Sequence, residues 1–295
     1  MARKSEAELA SWIGKASDAE DARYEWTKRQ IGDVLSGTSF GGASYDVYAK
    51  GSYPNHTNVV RDSDVDIAVE LTSITHNEFE HGAQGLSLHE VGISPYMGSY
   101  NLVQFKNDVE SALVRRFGRA AVERGNKALH VHETSRSLKA DVVVCQTLYS
   151  HMSRTSYRQG IWIHPDRGPG IENFPKQHLS EGIQKNDRTF RRYKRTVRIL
   201  KRLENEMVER GVMEAVPSFL IESLVWNLPN RILSDGSTWT ARVDQGLRHI
   251  YSTHKERDEW LEANNIKFLF HASQKWDEDE ADNFAREAHS YLGFS

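Results

Sequence analysis

The run "KGSYPNHTNVVRDSDVDIAVEL", Lys50 to Leu71, sets Asp64 and Asp66 into a segment that otherwise reads Val, Ile, Ala, Val. Aspartate is a poor strand former, so the pair needs a chemical reason. Residues two apart on a strand point to one face. Asp64 and Asp66 therefore share a face, while Val65, Ile67 and Val69 point to the other. Two carboxylates this close repel one another. A divalent cation removes that cost, and oxygen-only ligation by few protein groups suits Mg²⁺ or Mn²⁺, which keep waters and bridge substrate phosphates. A third carboxylate, Asp141, opens another apolar run, "LKADVVVCQ", with Val143 and Cys145 on its face and Ala140, Val142 and Val144 on the opposite one. It would complete a two-metal site, which holds the attacking and leaving oxygens of a phosphoryl transfer.

Gly51 and Ser52 supply the other half of that chemistry. Glycine lets the backbone approach a ligand closely, and exposed turn amides with a serine hydroxyl can hold a terminal phosphate. "DSDVD", from Asp62, also resembles the start of a calcium loop. Such a loop needs Gly at its sixth position and Glu at its twelfth; this chain has Ile67 and Ser73.

These groups need strands to carry them and helices to cover them. "SYDVYAKGS" reads as a strand into a tight turn, and "SDVDIAVEL", "ALHVHE", "LKADVVVCQ" and "GIWIHP" as further strands. Leu102, Phe105, Val109, Leu113 and Phe117 recur at helical spacing. So do Leu9, Trp12, Ile13 and Ala16 in a predicted helix running from Ser5 to Leu35, opened by a Ser5–Glu8 capping box. Past the Pro/Gly-rich link at 165–170 the pattern turns helical. "KNDRTFRRYKRTVRILKRLENEMVERG" predicts one long helix, capped by Asn186 or Asp187 and closed by Gly211, with Tyr193, Val197, Leu200, Leu203 and Met207 on its apolar stripe. "PSFLIESLVWNL" starts another behind Pro217, and "DEWLEANN" and "DEDEADNFAREAHSYL" also read as helix. The expected fold class is α/β (α+β): a mixed-sheet core over 1–170, whose N-terminal helix can pack on the second lobe, and a helical lobe over 171–295.

With 295 residues, 38% hydrophobic and 27% charged, the chain is long enough for two lobes. One cysteine, Cys145, excludes a disulfide framework and a cysteine-rich zinc site, and it reads as a small buried hydrophobe. "MARKSEAELA" has no signal-peptide character and no apolar run is long enough for a bilayer. The expectation is a cytoplasmic protein without membrane association. Between Lys185 and Arg202 nine cations face one acid, Asp187. That concentrated positive field would attract polyphosphate or nucleic acid. His130 and His132 share a strand face, and a structural or surface role is expected for them. No Ser-His-Asp or Cys-His arrangement for nucleophilic catalysis stands out.

The Gly-Ser…Asp-x-Asp pattern resembles the core of the polymerase-β-like nucleotidyltransferases. "ENFPKQHLSEGIQKNDRTFRRYKRTVRILKRL" and "VPSFLIESLVWNLP" resemble more narrowly the bacterial cGAS/DncV-like nucleotidyltransferases, the cyclic-oligonucleotide synthases of CBASS anti-phage systems. The resemblance covers about residues 45–230. It implies two Mg²⁺ (or Mn²⁺) ions held by Asp64, Asp66 and Asp141, with Asp141 on the ion that activates the attacking hydroxyl. It implies phosphate contact by Gly51 and Ser52, a triphosphate lysine at Lys194 (Lys201 being the runner-up), a hydroxyl near the phosphates from Ser218 and an aromatic face for a base from Phe219. The implied substrates are nucleoside triphosphates, ATP among them, joined in a cleft between two lobes of a monomer. The implied product is a cyclic di- or oligonucleotide read by an effector protein; an RNA or other activator is left open. The chain departs from the animal sensor in lacking zinc-ribbon cysteines, so sensing of duplex DNA through such a ribbon is not supported. Two rivals stand beside this reading: a nucleotidyltransferase acting on an RNA end or a protein side chain, and a non-catalytic nucleotide- or RNA-binding module.

Overall fold

Alternating apolar residues and helical stripes build two different kinds of core. The computed structural model describes residues 4–15, 17–59, 64–235, 238–253 and 258–294; Asp62 and Ala16 lie outside them. The helices in chain order are α1 (Glu6–Ser11), α2 (Asp18–Ser36), α3 (Ser52–Asn55), α4 (Leu102–Phe117), α5 (Pro175–Arg188), α6 (Arg192–Glu209), α7 (Ser218–Asn227), α8 (Asn230–Ser234), α9 (Trp239–Ser252) and α10 (Glu278–Leu292). The strands are β1 (Tyr45–Ala49), β2 (Val65–Phe79), β3 (Val122–Arg124), β4 (Leu129–Val131), β5 (Ala140–His151), β6 (Tyr157–Ile163) and β7 (Ile171–Asn173). The chain forms two compact units. One comprises Ser17–Tyr53 and Ser63–Lys176, and the other Met1–Ala16, Pro54–Asp62 and Gln177–Ser295.

The first unit is a mixed sheet of order β1-β2-β5-β4-β3, with β6 beside β5 and β7 beside β6. β2 and β5 run parallel, and the other neighbours are antiparallel. The alternation read from the sequence decides its two faces. Val65, Ile67, Val69, Ala140, Val142 and Val144 pack with Phe105, Val109 and Leu113 of α4 and with Ile31 and Leu35 of α2. Ala68, Val143 and Cys145 lie in a separate apolar cluster with Ile161 and Ile163. Cys145 is fully buried and donates to the Val69 carbonyl, and burial pushes its thiol pKa up. Helix α4 starts at an Asn101–Gln104 capping box and spans the residues its spacing predicts.

The second unit is helical. Tyr193, Val197, Leu200, Leu203 and Met207 of α6 pack with residues of α7, α9 and α10 and with Leu9 of α1. The Ser5–Glu8 box caps α1 as expected, and Glu6 accepts hydrogen bonds from the Trp239 and Thr240 amides at the start of α9.

Four elements differ from the sequence reading. The predicted helix from Ser5 to Leu35 breaks after Ser11 and restarts at Asp18, capped by Ser17. Its two pieces fall in different units. The carbonyls of Trp12, Ile13 and Gly14 accept from Arg202 and Arg198 instead of from helix amides. The predicted long helix is α5 followed by α6. Phe190 (φ 51°) and Arg191 (φ 63°) part them in left-handed conformation, at about 1–2 kcal/mol each. Neither Asn186 nor Asp187 is the cap expected: both lie inside α5, and α6 starts at Arg191 without a side-chain cap, although Asn186 Oδ1 accepts the Lys194 amide at 3.3 Å; Gly211 (φ 66°) closes α6. "DEWLEANN" is not helical: Leu261 makes an isolated bridge to Phe268, and Leu269 donates to the Trp260 carbonyl. The sheet unit runs on through β7 to Lys176, past the turn at 165–170. There Asp166 binds Lys106 (2.7 Å) and Arg124 (2.7 Å).

Candidate active site

Strand register brings the aspartates together. Asp66 on β2 lies directly opposite Asp141 on parallel β5. Asp141 lies opposite His130 on β4, and His130 opposite Glu123 on β3. Four adjacent strands thus carry one row of acids and a histidine across a single face. Asp64 immediately precedes β2.

Each aspartate already has a partner. Asp64 Oδ2 accepts from Lys139 Nζ at 2.6 Å, and this bond is the main reason the Lys139 pKa rises. Asp66 Oδ1 lies 3.4 Å from Lys50 Nζ. Asp141 Oδ1 is 2.6 Å from His130 Nδ1. The side chains of Asp64, Asp66 and Asp141 are 43%, 36% and 26% exposed, so all three can be reached from solvent. Among the described residues no three His, Cys, Asp or Glu side chains converge on one point; Asp64 is engaged with Lys139 and Asp141 with His130. The donor set still fits a hard divalent cation: carboxylate oxygens only, on neighbouring strands, balanced by two lysines.

Gly51 fits the same site. It has φ +75°, and a Cβ there would stand 2.5 Å from Asp66 Oδ2. The Lys50 amide donates to the Asp66 carbonyl at 2.9 Å and fixes this approach. Only glycine lets the turn lie so near the carboxylate. Ser52 follows at the start of α3, half-buried. Further along β2, Glu70 is buried and accepts from Thr147 Oγ1 (2.6 Å), Tyr48 Oη (2.8 Å) and Lys176 Nζ (3.2 Å).

In the helical unit, Lys194 is 7% exposed and burial pushes its pKa down. Among the described residues no carboxylate lies within ion-pair distance of its amine. Lys201 differs: its Nζ lies 3.9 Å from Glu222 Oε2. Glu222 also takes His178 Nε2 (2.8 Å) and Thr57 Oγ1 (2.8 Å). Burial alone would raise the Glu222 pKa, but His178, Lys201 and Thr57 outweigh it and hold the group at about 2. Phe219 is half-buried, its ring edge-on to His178 at 5.1 Å between centroids, and half-buried Ser218 is the first residue of α7. The field expected from the basic helix is reduced, because Arg198 and Arg202 are taken up by backbone carbonyls and Lys201 by Glu222.

Several residues of these clusters escaped the sequence reading. Lys50 and Lys139 had a signal, since they stand beside Gly51 and before Asp141. His130 contacts a candidate ligand rather than only filling a surface; its one signal would have been strand register. Glu70, His178 and Glu222 had none.

A glycine turn against a paired-aspartate strand in a mixed sheet, in a chain that also carries a helical unit, agrees with the nucleotidyltransferase class that the sequence resembles. The comparisons narrow this. Residues 180–293 match the cGAS/DncV-like nucleotidyltransferase C-terminal helical domain. The chain is 34% identical to the cyclic dipyrimidine nucleotide synthase CdnE of Cecembia lonarensis, over 96% of this chain and 97% of that one. It superposes on the CdnE cyclic dinucleotide synthase of Elizabethkingia meningoseptica with GTP and Apcpp with a TM-score of 0.82 at 31% identity, covering 99% and 100% of the two chains. The CdnE c-UMP-AMP synthase of Rhodothermus marinus with Apcpp and Upnpp gives 0.85 at 27% identity, covering 99% and 98%. The chain belongs to the cGAS/DncV-like nucleotidyltransferases, and the reading as a non-catalytic module falls.

Proposed function

We propose that this protein is a magnesium-dependent synthase that joins nucleoside triphosphates, ATP among them, into a cyclic di- or oligonucleotide, releasing pyrophosphate. The observation that carries the reading is the register pairing of Asp66 with Asp141, with Gly51 pressed against the Asp66 carboxylate. Asp64, Asp66 and Asp141 would hold the divalent ions. Bound there, Mg²⁺ neutralises charge on the triphosphate and lowers the pKa of an attacking hydroxyl. The amides of the Gly51–Ser52 turn and the Ser52 hydroxyl cradle the phosphates. Lys194, with no carboxylate at ion-pair distance among the described residues, and Ser218 bind the triphosphate, and Phe219 offers a ring face to a base. A ribose hydroxyl of one nucleotide attacks the α-phosphate of another, pyrophosphate leaves, and a second attack closes the ring.

Family membership supports a cyclic product. The relatives' names span dipyrimidine, dipurine and UMP-AMP products at 27–34% identity, so the base choice is this chain's own. The role we propose is a monomeric synthase of bacterial anti-phage (CBASS) signalling, its product read by an effector protein. No helix among the described residues is long and apolar enough to cross a membrane.

The test is incubation with four α-labelled ribonucleotides and Mg²⁺ or Mn²⁺, followed by phosphatase and separation. A phosphatase-resistant product, lost when single nucleotides are omitted, supports the reading and names the bases. Product only on an added RNA or protein acceptor would replace it with the rival nucleotidyltransferase.

A further inference from the structure

Among the described residues the Asp141 carboxylate accepts no backbone hydrogen bond. Its hydrogen-bond partner is His130 Nδ1, 2.6 Å from Oδ1. His130 is itself confined. A Cβ on Gly125, in the turn joining β3 to β4, would stand 2.3 Å from His130 Nε2, so the imidazole is wedged between that turn and the aspartate. Gly125 has no positive φ and pairs normally, its amide donating to Ala128 O at 2.9 Å. The missing side chain is therefore needed for room rather than for backbone freedom. The His130 side chain is 32% exposed, so it does not hold up a core.

We propose that His130 is a positioning residue. Its ring, seated by Gly125, fixes the Asp141 carboxylate in the orientation that receives a divalent cation. The inference rests on the proposed metal role of Asp141. Carboxylate ligands are commonly fixed by such outer hydrogen bonds, whose loss weakens metal affinity about 10–100-fold.

The experiment is Mn²⁺ titration of the full chain without nucleotide, read as free Mn²⁺ by electron paramagnetic resonance, with melting temperatures alongside. Asp141→Asn is the reference: if wild type and D141N bind Mn²⁺ alike, the metal role of Asp141 on which the inference rests fails. If D141N loses binding, His130→Ala should weaken it about 10–100-fold with little change in melting temperature. His130→Asn, whose Nδ2 can occupy the Nδ1 position, should restore most of it. Gly125→Ala should weaken binding in the wild-type background and add little on top of H130A, because the clashing ring is gone and only the 3.1 Å approach to Ala128 O remains. H130A binding like wild type, or G125A and H130A acting additively, would overturn the assignment while leaving the metal site standing.

Discussion

Gly51→Ala separates backbone strain from damage to the site. The added Cβ would lie 2.5 Å from Asp66 Oδ2, where ordinary contact begins at 3.4 Å. Lys50 N–Asp66 O pairing ties the turn to β2, so the carboxylate must move by most of the difference, about 0.9 Å. A displacement near 1 Å costs on the order of 100-fold in turnover. The alanine also sits at φ +75°, a backbone cost of about 1–2 kcal/mol, or a loss of roughly 2–8 °C in melting temperature. Gly42 is the control. It has φ +77° and nothing within 4 Å of its would-be Cβ. Gly42→Ala should lose the same few degrees and keep its activity. Both variants are assayed by pyrophosphate release at saturating nucleotide and by thermal melting. If G51A keeps more than about a third of wild-type turnover, the 1 Å argument fails. If G42A loses as much activity as G51A, strain rather than the carboxylate is responsible.

Further outcomes follow from the same geometry. Asp66→Asn and Asp141→Asn should each abolish pyrophosphate release with melting temperatures near wild type; substantial residual turnover in either would remove that carboxylate from the chemistry. Lys194→Ala should raise KM for nucleotide about 10–100-fold, the equivalent of one charged hydrogen bond of about 1.5–3 kcal/mol, with a smaller effect on kcat; steady-state kinetics read the split. Glu222 is depressed from an ordinary 4.5 to about 2, so it contributes stability above pH 4.5 that is lost as pH falls towards 2, about 3 kcal/mol in all. Acid unfolding followed by circular dichroism should show that limb in wild type and lack it in Glu222→Gln. The same variant should be less stable at neutral pH by about 3–5 kcal/mol, because His178 and Lys201 lose their buried partner.

Local pattern was enough wherever one strand or one helix face determined the outcome. Asp64 and Asp66 among Val65, Ile67 and Val69 announced a strand with one wet face, and the two apolar clusters follow that division residue by residue. α4 obeyed its Phe105–Val109–Leu113 stripe. What the sequence hid was settled by partners far along the chain. The break after Ser11 depends on arginines more than 180 residues away. The left turn at Phe190–Arg191 has no glycine to mark it. The cations of α6 read as one concentrated positive field, yet Arg198 and Lys201 are buried, which a charge count along a helix does not distinguish. The bond from His130 to Asp141 exists only once β4 and β5 are aligned.

The row of charge across the sheet has a consequence for how the chain finds its fold. β2 and β5 meet across a segment of about 75 residues, with Lys139 and Asp64 at its mouth. Closing a loop that long costs about 4 kcal/mol of chain entropy before any contact rewards it. During that search β5, with its run of Val142, Val143, Val144 and Cys145, could slide by one residue against β2 and still bring apolar side chains together. Such a slip would turn Asp141 into the layer of Phe105 and Leu113, where an unpaired carboxylate costs several kcal/mol. The acid that serves chemistry in the finished molecule therefore also rejects the nearest misfolded alignment. A variant with Asp141 made apolar should refold into a more heterogeneous population even where its final melting temperature is unchanged.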